Sequence, residues 1–146
     1  MKTARDKTIL IVDDDVRMLR ALEKVLTGEG HTVLSATWVG DAVDIVVEQK
    51  KQIDLVITDL RMPLVTGITG VFAIHKVFPQ LPIIVLTAFG GPDVEAECLR
   101  QGATDFLEKP LDAAHLLEVI ARVFAATKTE SASDQPLDAE RVGKSP

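Results

Sequence analysis

At 146 residues, 47% of them hydrophobic and 26% charged, the chain is long enough for one domain with a real core and too short for two, and neither wholesale disorder nor a fibrous repeat fits. Its 16 basic and 22 acidic residues leave a formal net charge of -6, which disfavours nucleic-acid binding because counterion release needs an excess of positive charge. The lone cysteine, Cys98, excludes an internal disulfide and a thiolate zinc site and fits a reducing, cytoplasmic compartment.

In chain order, residues 1–7 are a short extension, and the apolar run behind its basic opening is only Ile9 to Val12 before three aspartates. No export signal is expected. The β-branched runs Thr8 to Val12, Val33 to Ala36, Leu55 to Thr58, Ile83 to Thr87 and Asp105 to Leu107 predict five strands. Between the first two, Leu19, Leu22 and Leu26 recur at helical spacing. Further helices are expected over Val39 to Lys50, over Ile68 to Phe78 with Val71, Phe72 and His75, and over Pro92 to Gln101. Leu116, Leu117, Ile120 and Phe124 mark the core face of a last one. Gly28-Glu29-Gly30 and Gly102 follow predicted helices, where a residue tolerant of positive φ is wanted. No apolar run approaches the roughly 20 residues of a membrane helix, so no membrane partner is expected.

Five strand-helix alternations, with strands apolar on both faces, predict an α/β fold: a doubly wound, five-stranded parallel sheet with helices on both faces. Beyond Ala126 the composition turns polar, with Ser and Pro and little apolar periodicity. Residues 8–126 therefore read as the domain and 127–146 as a polar tail or linker.

Ligands of open parallel sheets bind at the carboxyl ends of the strands. Here the first strand ends in Asp13-Asp14-Asp15, the third in Thr58-Asp59, the fourth in Thr87-Ala88 and the fifth in Glu108-Lys109-Pro110. Taken singly, the triplet reads as a helix cap, Asp59 as a turn, Thr87 as a strand-end residue and Lys109 as a surface charge. Together, on parallel strands, they put several carboxylates, a hydroxyl and an ammonium at one edge. Converging carboxylates need a cation or protons, and an oxygen-only set suits Mg²⁺ better than zinc or copper. Asp59 is the candidate nucleophile toward a phosphoryl group, with Thr87 and Lys109 placed to neutralise its oxygens.

The segments ILIVDDD, VITDLRMP, PIIVLTA and DFLEKP, in that order and spacing, resemble the receiver domain of two-component response regulators, close to CheY-like receivers. The resemblance covers residues 8–126 and implies the flavodoxin-like strand order 2-1-3-4-5. It implies that Asp59 is the phosphoacceptor, that Asp13 and Asp14 hold Mg²⁺ with Asp59 and the backbone carbonyl of Arg61, and that Thr87 and Phe106 are switch residues. It also implies that Lys109 is the site lysine, aimed inward by a cis Lys109-Pro110 peptide. The implied partner is a sensor histidine kinase or phosphotransfer protein, recognised chiefly along the first helix (Val16, Arg17, Leu19, Arg20, Glu23). The implied output is a change at the face made by the fourth helix, fifth strand and fifth helix, with homodimerisation on phosphorylation as a further expectation.

Two features stand out. Thr66 lies where the family often has an acid, which bears on loop geometry, and the Gly90-Gly91-Pro92 stretch after Phe89 is flexible in composition. The resemblance also implies that the residues at 61 and 89, here Arg61 and Phe89, tune how long the phosphoryl group lasts. The style of the chain resembles receivers of NtrC-type and FixJ-type regulators, and Val142-Gly143-Lys144-Ser145-Pro146 looks like the opening of an NtrC-type ATPase domain; the alternative is a stand-alone receiver with an accidental tail. The Gly-Lys-Ser triplet is not a P-loop, since the upstream glycine is missing. His31, His75 and His115 lack metal-site spacing and read as surface or packing residues, Cys98 as a small buried hydrophobe and Trp38 as a local packing residue.

Three rival functions compete with this reading. A haloacid-dehalogenase-like phosphatase needs a second acid two residues after its nucleophile, where this chain has Arg61. A flavodoxin-like cofactor binder needs a glycine- and hydroxyl-rich loop after the first strand, where this chain has three aspartates. A phosphate-independent receiver-like interaction domain is opposed by the complete set Asp13, Asp14, Asp59, Thr87 and Lys109.

Overall fold

The computed structural model describes residues 6–49, 51–60, 64–88, 90–110 and 112–134. Strands and helices alternate throughout: β1 (Thr8–Val12), α1 (Val16–Gly28), β2 (Thr32–Ala36), α2 (Val39–Gln49), β3 (Leu55–Thr58), α3 (Leu64–Val77), β4 (Ile83–Thr87), α4 (Pro92–Arg100), β5 (Asp105–Glu108) and α5 (Ala113–Asp134). All neighbouring strands are parallel, in the order β2-β1-β3-β4-β5. Each parallel step needs a crossover, and a helix supplies it. The fold is the doubly wound α/β sheet expected from the sequence, with the flavodoxin-like order.

The compact unit Met1–Leu111 carries the sheet and the first four helices. Strand side chains alternate between two faces. Leu10, Val12, Val56, Ile83, Val85 and Phe106 share a buried cluster with Ala42 and Val46 of α2, Val71 and Ile74 of α3 and Cys98 of α4. Ile9, Ile11, Leu55, Ile57, Ile84 and Leu86 take the alternate positions and are also buried. On that side α1 packs on β1 and β2 through its stripe Leu19, Leu22 and Leu26. A strand buried on both faces needs no polar alternation, which is why β1, β3 and β4 read as continuous apolar runs.

Asp15 caps α1, its Oδ1 accepting from the backbone N–H groups of Arg17 (3.0 Å) and Met18 (3.4 Å). One member of the acidic triplet thus has the capping role. Helix α1 closes with the His31 N–H on the Leu26 carbonyl at 3.1 Å, a turn made by Gly30 at φ 91°. Gly28 stays inside the helix.

The unit Asp112–Pro146 contains α5. Asp112 opens it by accepting from the His115 N–H at 2.7 Å. Its buried stripe is Leu116, Val119, Ile120 and Val123, at i, i+3, i+4 and i+7. Leu117 and Phe124 are only partly buried, displaced from the core role by the two valines. The helix continues to Asp134, past the point where apolar periodicity ends. Propagation costs little once a helix exists, and no Gly or Pro interrupts the sequence between Ala113 and Asp134. The tail beyond Asp134, with its Val142–Pro146 motif, lies outside the described residues.

Gly102, at φ 117°, ends the turn after α4, and a β-carbon built on it would lie 2.8 Å from His75 Cβ and overlap the imidazole of α3. A side chain there is opposed both by backbone conformation and by a packed neighbour. Gly102→Ala is expected to lower unfolding free energy by about 1–3 kcal/mol, with a matching drop in urea midpoint at unchanged m-value. Wild-type stability would show that the loop relaxes freely.

Candidate functional site

Three ladder hydrogen bonds extend past the ends of the strands. Asp13 N–H donates to Ala36 (3.1 Å), Asp59 N–H to Val12 (2.9 Å) and Lys109 N–H to Thr87 (2.8 Å). Registry therefore carries the residues after β1, β3 and β5 to one edge, although they are up to 96 positions apart in sequence.

At that edge the Lys109 ammonium lies between two carboxylates, 2.9 Å from Asp13 Oδ2 and 3.3 Å from Asp59 Oδ2. Asp13 Oδ1 accepts from the Asp15 N–H at 2.9 Å. Asp14 joins them from the exposed side, so that carboxylate oxygens of Asp13, Asp14 and Asp59 lie within 4.8 Å of one another. Asp13, Asp59 and Thr87 are buried. The Lys109-Pro110 peptide is cis. Phe106 is buried in the cluster with Val85, Cys98 and Ala103. Arg61, Phe89 and the Met62-Pro63 segment lie outside the described residues.

Electrostatics follow from that packing. Burial raises the Asp13 carboxyl above the usual aspartate range, and the nearby Asp59 charge adds to the rise; the Asp15 N–H and Lys109 offset only part of it. Burial works against the Lys109 ammonium, yet its contacts with Asp13 and Asp59 outweigh that and raise its pKa. Among the described residues, the site is a set of carboxylates held together by the Lys109 ammonium.

Among the described residues, Asp59 Oδ1 is buried without a hydrogen-bond partner. A desolvated carboxylate oxygen with no donor is costly in a folded chain, and a ligand for it offsets that cost. Oxygen-only donors with one exposed carboxylate at the mouth fit Mg²⁺, a hard cation that keeps some waters. Among the described residues, Asp13, Asp14 and Asp59 are the side chains able to hold it.

The remaining reactive residues of the sequence lie apart from this cluster. His31 is buried, which lowers its pKa, and His115 makes an exposed pair with Glu118 at 3.5 Å. His75 packs against Gly102. Cys98 is wholly buried, its thiol pushed up to about 11. Trp38 is 62% exposed, its ring laid against Gly40 and not in the core. Sequence reasoning gave no role to Glu108, whose carboxylate accepts from the Gly91 N–H at 3.2 Å. The sequence signal for that contact is faint: a glycine pair opposite a strand-end acid.

The family model of the response regulator receiver domain matches residues 9–121. The transcriptional regulatory protein ZraR of Salmonella typhimurium is 37% identical over 135 residues, which are 92% of this chain and 30% of that protein. The chain thus spans about a third of the length of such curated relatives. The structure of the CheX-CheY-BeF3-Mg+2 complex from Borrelia burgdorferi contains a chain that is 33% identical, with a TM-score of 0.77 over 81% of this chain and 89% of that one. A beryllofluoride-activated NtrC4 receiver domain dimer aligns at 27% identity and a TM-score of 0.75, covering 82% of this chain and 98% of its own.

Replacing one charge at a time tests the balance at the sheet edge. Lys109→Ala leaves two buried carboxylates facing each other and is expected to cost about 1–3 kcal/mol. Asp59→Asn removes one of the repelling charges and is expected to raise stability. Urea unfolding at pH 7 in EDTA checks both, and equal shifts of the same sign would contradict the arrangement.

Proposed function

This chain belongs to the response regulator receiver domain family of two-component signalling, and from that premise we propose that Asp59 is its phosphoacceptor. The observation that carries the reading is the buried Asp59 carboxylate, with one oxygen on Lys109 and the other without a partner among the described residues. In the proposed transfer an Asp59 carboxylate oxygen forms a bond to phosphorus as the phosphorus–nitrogen bond of a phosphohistidine breaks. The imidazole leaves, and an acyl phosphate remains. Hydrolysis then releases inorganic phosphate and restores the carboxylate.

Lys109 supplies a compact positive charge to the transferred group from a position it already holds beside Asp59, so little reorganisation is needed. Thr87, at the end of β4, is the hydroxyl proposed to follow the phosphoryl oxygens, and Phe106 the aromatic that responds behind it. Mg²⁺ held by Asp13, Asp14 and Asp59, with the Arg61 carbonyl as a further proposed ligand, would neutralise the charge on the incoming group. The chain assists its own phosphorylation and dephosphorylation without being an enzyme toward a separate substrate.

The proposed donor is a sensor histidine kinase or a phosphotransfer protein. The NtrC4 receiver dimer supports homodimerisation as a response, and the relationship to ZraR supports a receiver that controls a transcriptional output domain, with residues 127–146 as the connection to it. The haloacid-dehalogenase-like alternative has no support among the relatives.

Incubation with acetyl phosphate and Mg²⁺ is expected to add one phosphoryl group to the intact mass. The adduct is expected to be absent in Asp59→Asn and in EDTA. A folded wild-type chain that takes up no phosphoryl group under these conditions would favour a phosphate-independent interaction domain.

A further inference from the structure

The two residues that end the fifth strand region point into different parts of the molecule. Lys109 reaches Asp13 and Asp59. Glu108, joined to it by one peptide bond, reaches the start of α4, where its Oε2 accepts from the Gly91 N–H at 3.2 Å. Opposite orientation of successive side chains is the ordinary geometry of an extended strand.

The start of α4 is built around this contact. Gly91 is its N-cap at φ 127°, with no side chain to hold the free N–H groups of the first turn. Pro92 follows, and the first helical bond runs from the Glu95 N–H to the Gly91 carbonyl at 2.9 Å. The Glu108 carboxylate lies over Gly90 so closely that a β-carbon there would sit 2.5 Å from both of its oxygens. A negative group delivered from another strand thus takes the place of a local cap, at the end of the helix where negative charge is favoured. Two adjacent glycines, one making room and one adopting a left-handed φ, admit it.

We propose that Glu108 is the positioning residue that couples the charge state of Asp59 to the start of α4. The inference rests on the reading of Asp59 as phosphoacceptor. With Asp59 unmodified, Lys109 is shared between two carboxylates. A phosphoryl group on Asp59 adds negative charge on one side of that ammonium and draws it away from Asp13. The backbone at Glu108 and Lys109 follows, and the Glu108 carboxylate moves relative to the Gly91 N–H. The helix start then repacks.

The experiment compares ¹⁵N-labelled wild type, Glu108→Ala and Glu108→Gln with and without Mg²⁺ and beryllium fluoride, a tetrahedral phosphoryl mimic, reading backbone amide shifts. In wild type, the Val94 and Glu95 amides are expected to move together with those of Asp59 and Thr87. In Glu108→Ala the Asp59 and Thr87 responses persist while the α4 response falls to below about half, and the free Gly91 amide exchanges about tenfold faster. Glu108→Gln, whose amide oxygen still accepts, recovers most of both effects. A full α4 response in Glu108→Ala overturns the coupling, as does a Glu108→Gln variant no better than Ala. A wild-type response at Asp59 and Thr87 but none in α4 overturns the coupling and leaves the phosphoacceptor reading intact. No response at Asp59 or Thr87 in wild type overturns that reading and this inference with it.

Discussion

The ammonium of Lys109 is the charge that allows two aspartates to be buried side by side at the edge of a parallel sheet. At 4 Å, like charges repel by about 4 kcal/mol in the intermediate dielectric of a protein surface, a substantial fraction of a small domain's stability. Lys109 contacts both Asp13 and Asp59. Its reach in turn depends on β5 lying beside β4 in register, Thr87 opposite Glu108, and on β1 and β3 ending at the same level, Val12 opposite Thr58. The apolar core and the sheet order thereby fix the relative positions of three charges. Asp14, exposed beside them, brings a third carboxylate to the same edge.

That crowding of carboxylates bears on the proposed phosphoryl transfer. A phosphoryl group brings further negative charge and strong acceptor oxygens. Without a second cation its approach to Asp59 would be opposed by Asp13 and Asp14. The geometry already contains the remedy, because the carboxylates that repel the phosphoryl group are the ones able to hold Mg²⁺. The Asp59 oxygen that has no donor among the described residues marks the same need for a cation.

Much of this was legible in the sequence because a parallel sheet converts strand endings into neighbours. Asp13, Asp59, Thr87 and Lys109 each close a strand region, and alternation of strands and helices is enough to gather them. Less legible were choices made by competing local preferences. Asp15 could have joined the acid cluster but caps α1, since the first turn offers it two free N–H groups. Val119 and Val123 entered the α5 stripe ahead of Leu117 and Phe124, because helical phase and not side-chain size decides which residues turn inward. The eight residues after Ala126 continued as helix although their composition marked a linker, since propagation needs only the absence of breakers. The Glu108 contact was invisible for a different reason: it joins positions 17 apart, the two ends of the α4-β5 segment, which only tertiary packing brings together.

The helices of the first unit are anchored unequally, and the inequality locates where a charge change at the edge would be felt. Helix α1 buries Leu19, Leu22 and Leu26. At about 1.5–3 kcal/mol for each fully buried aliphatic side chain, displacing it is expensive. Helix α4 has nine residues and buries only Cys98, with Val94 partly covered and Leu99 43% exposed. Its polar ties are short-range, as in the pairing of Arg100 with Glu97, apart from the bond that Glu108 makes to its first turn. Elements with few buried apolar groups open and shift at the lowest cost. The helix held least by the core is therefore the one whose start is tied to the residue next to Lys109. A sheet edge crowded with charge and a weakly anchored helix, joined by one peptide bond and one carboxylate, are the parts a two-state module requires.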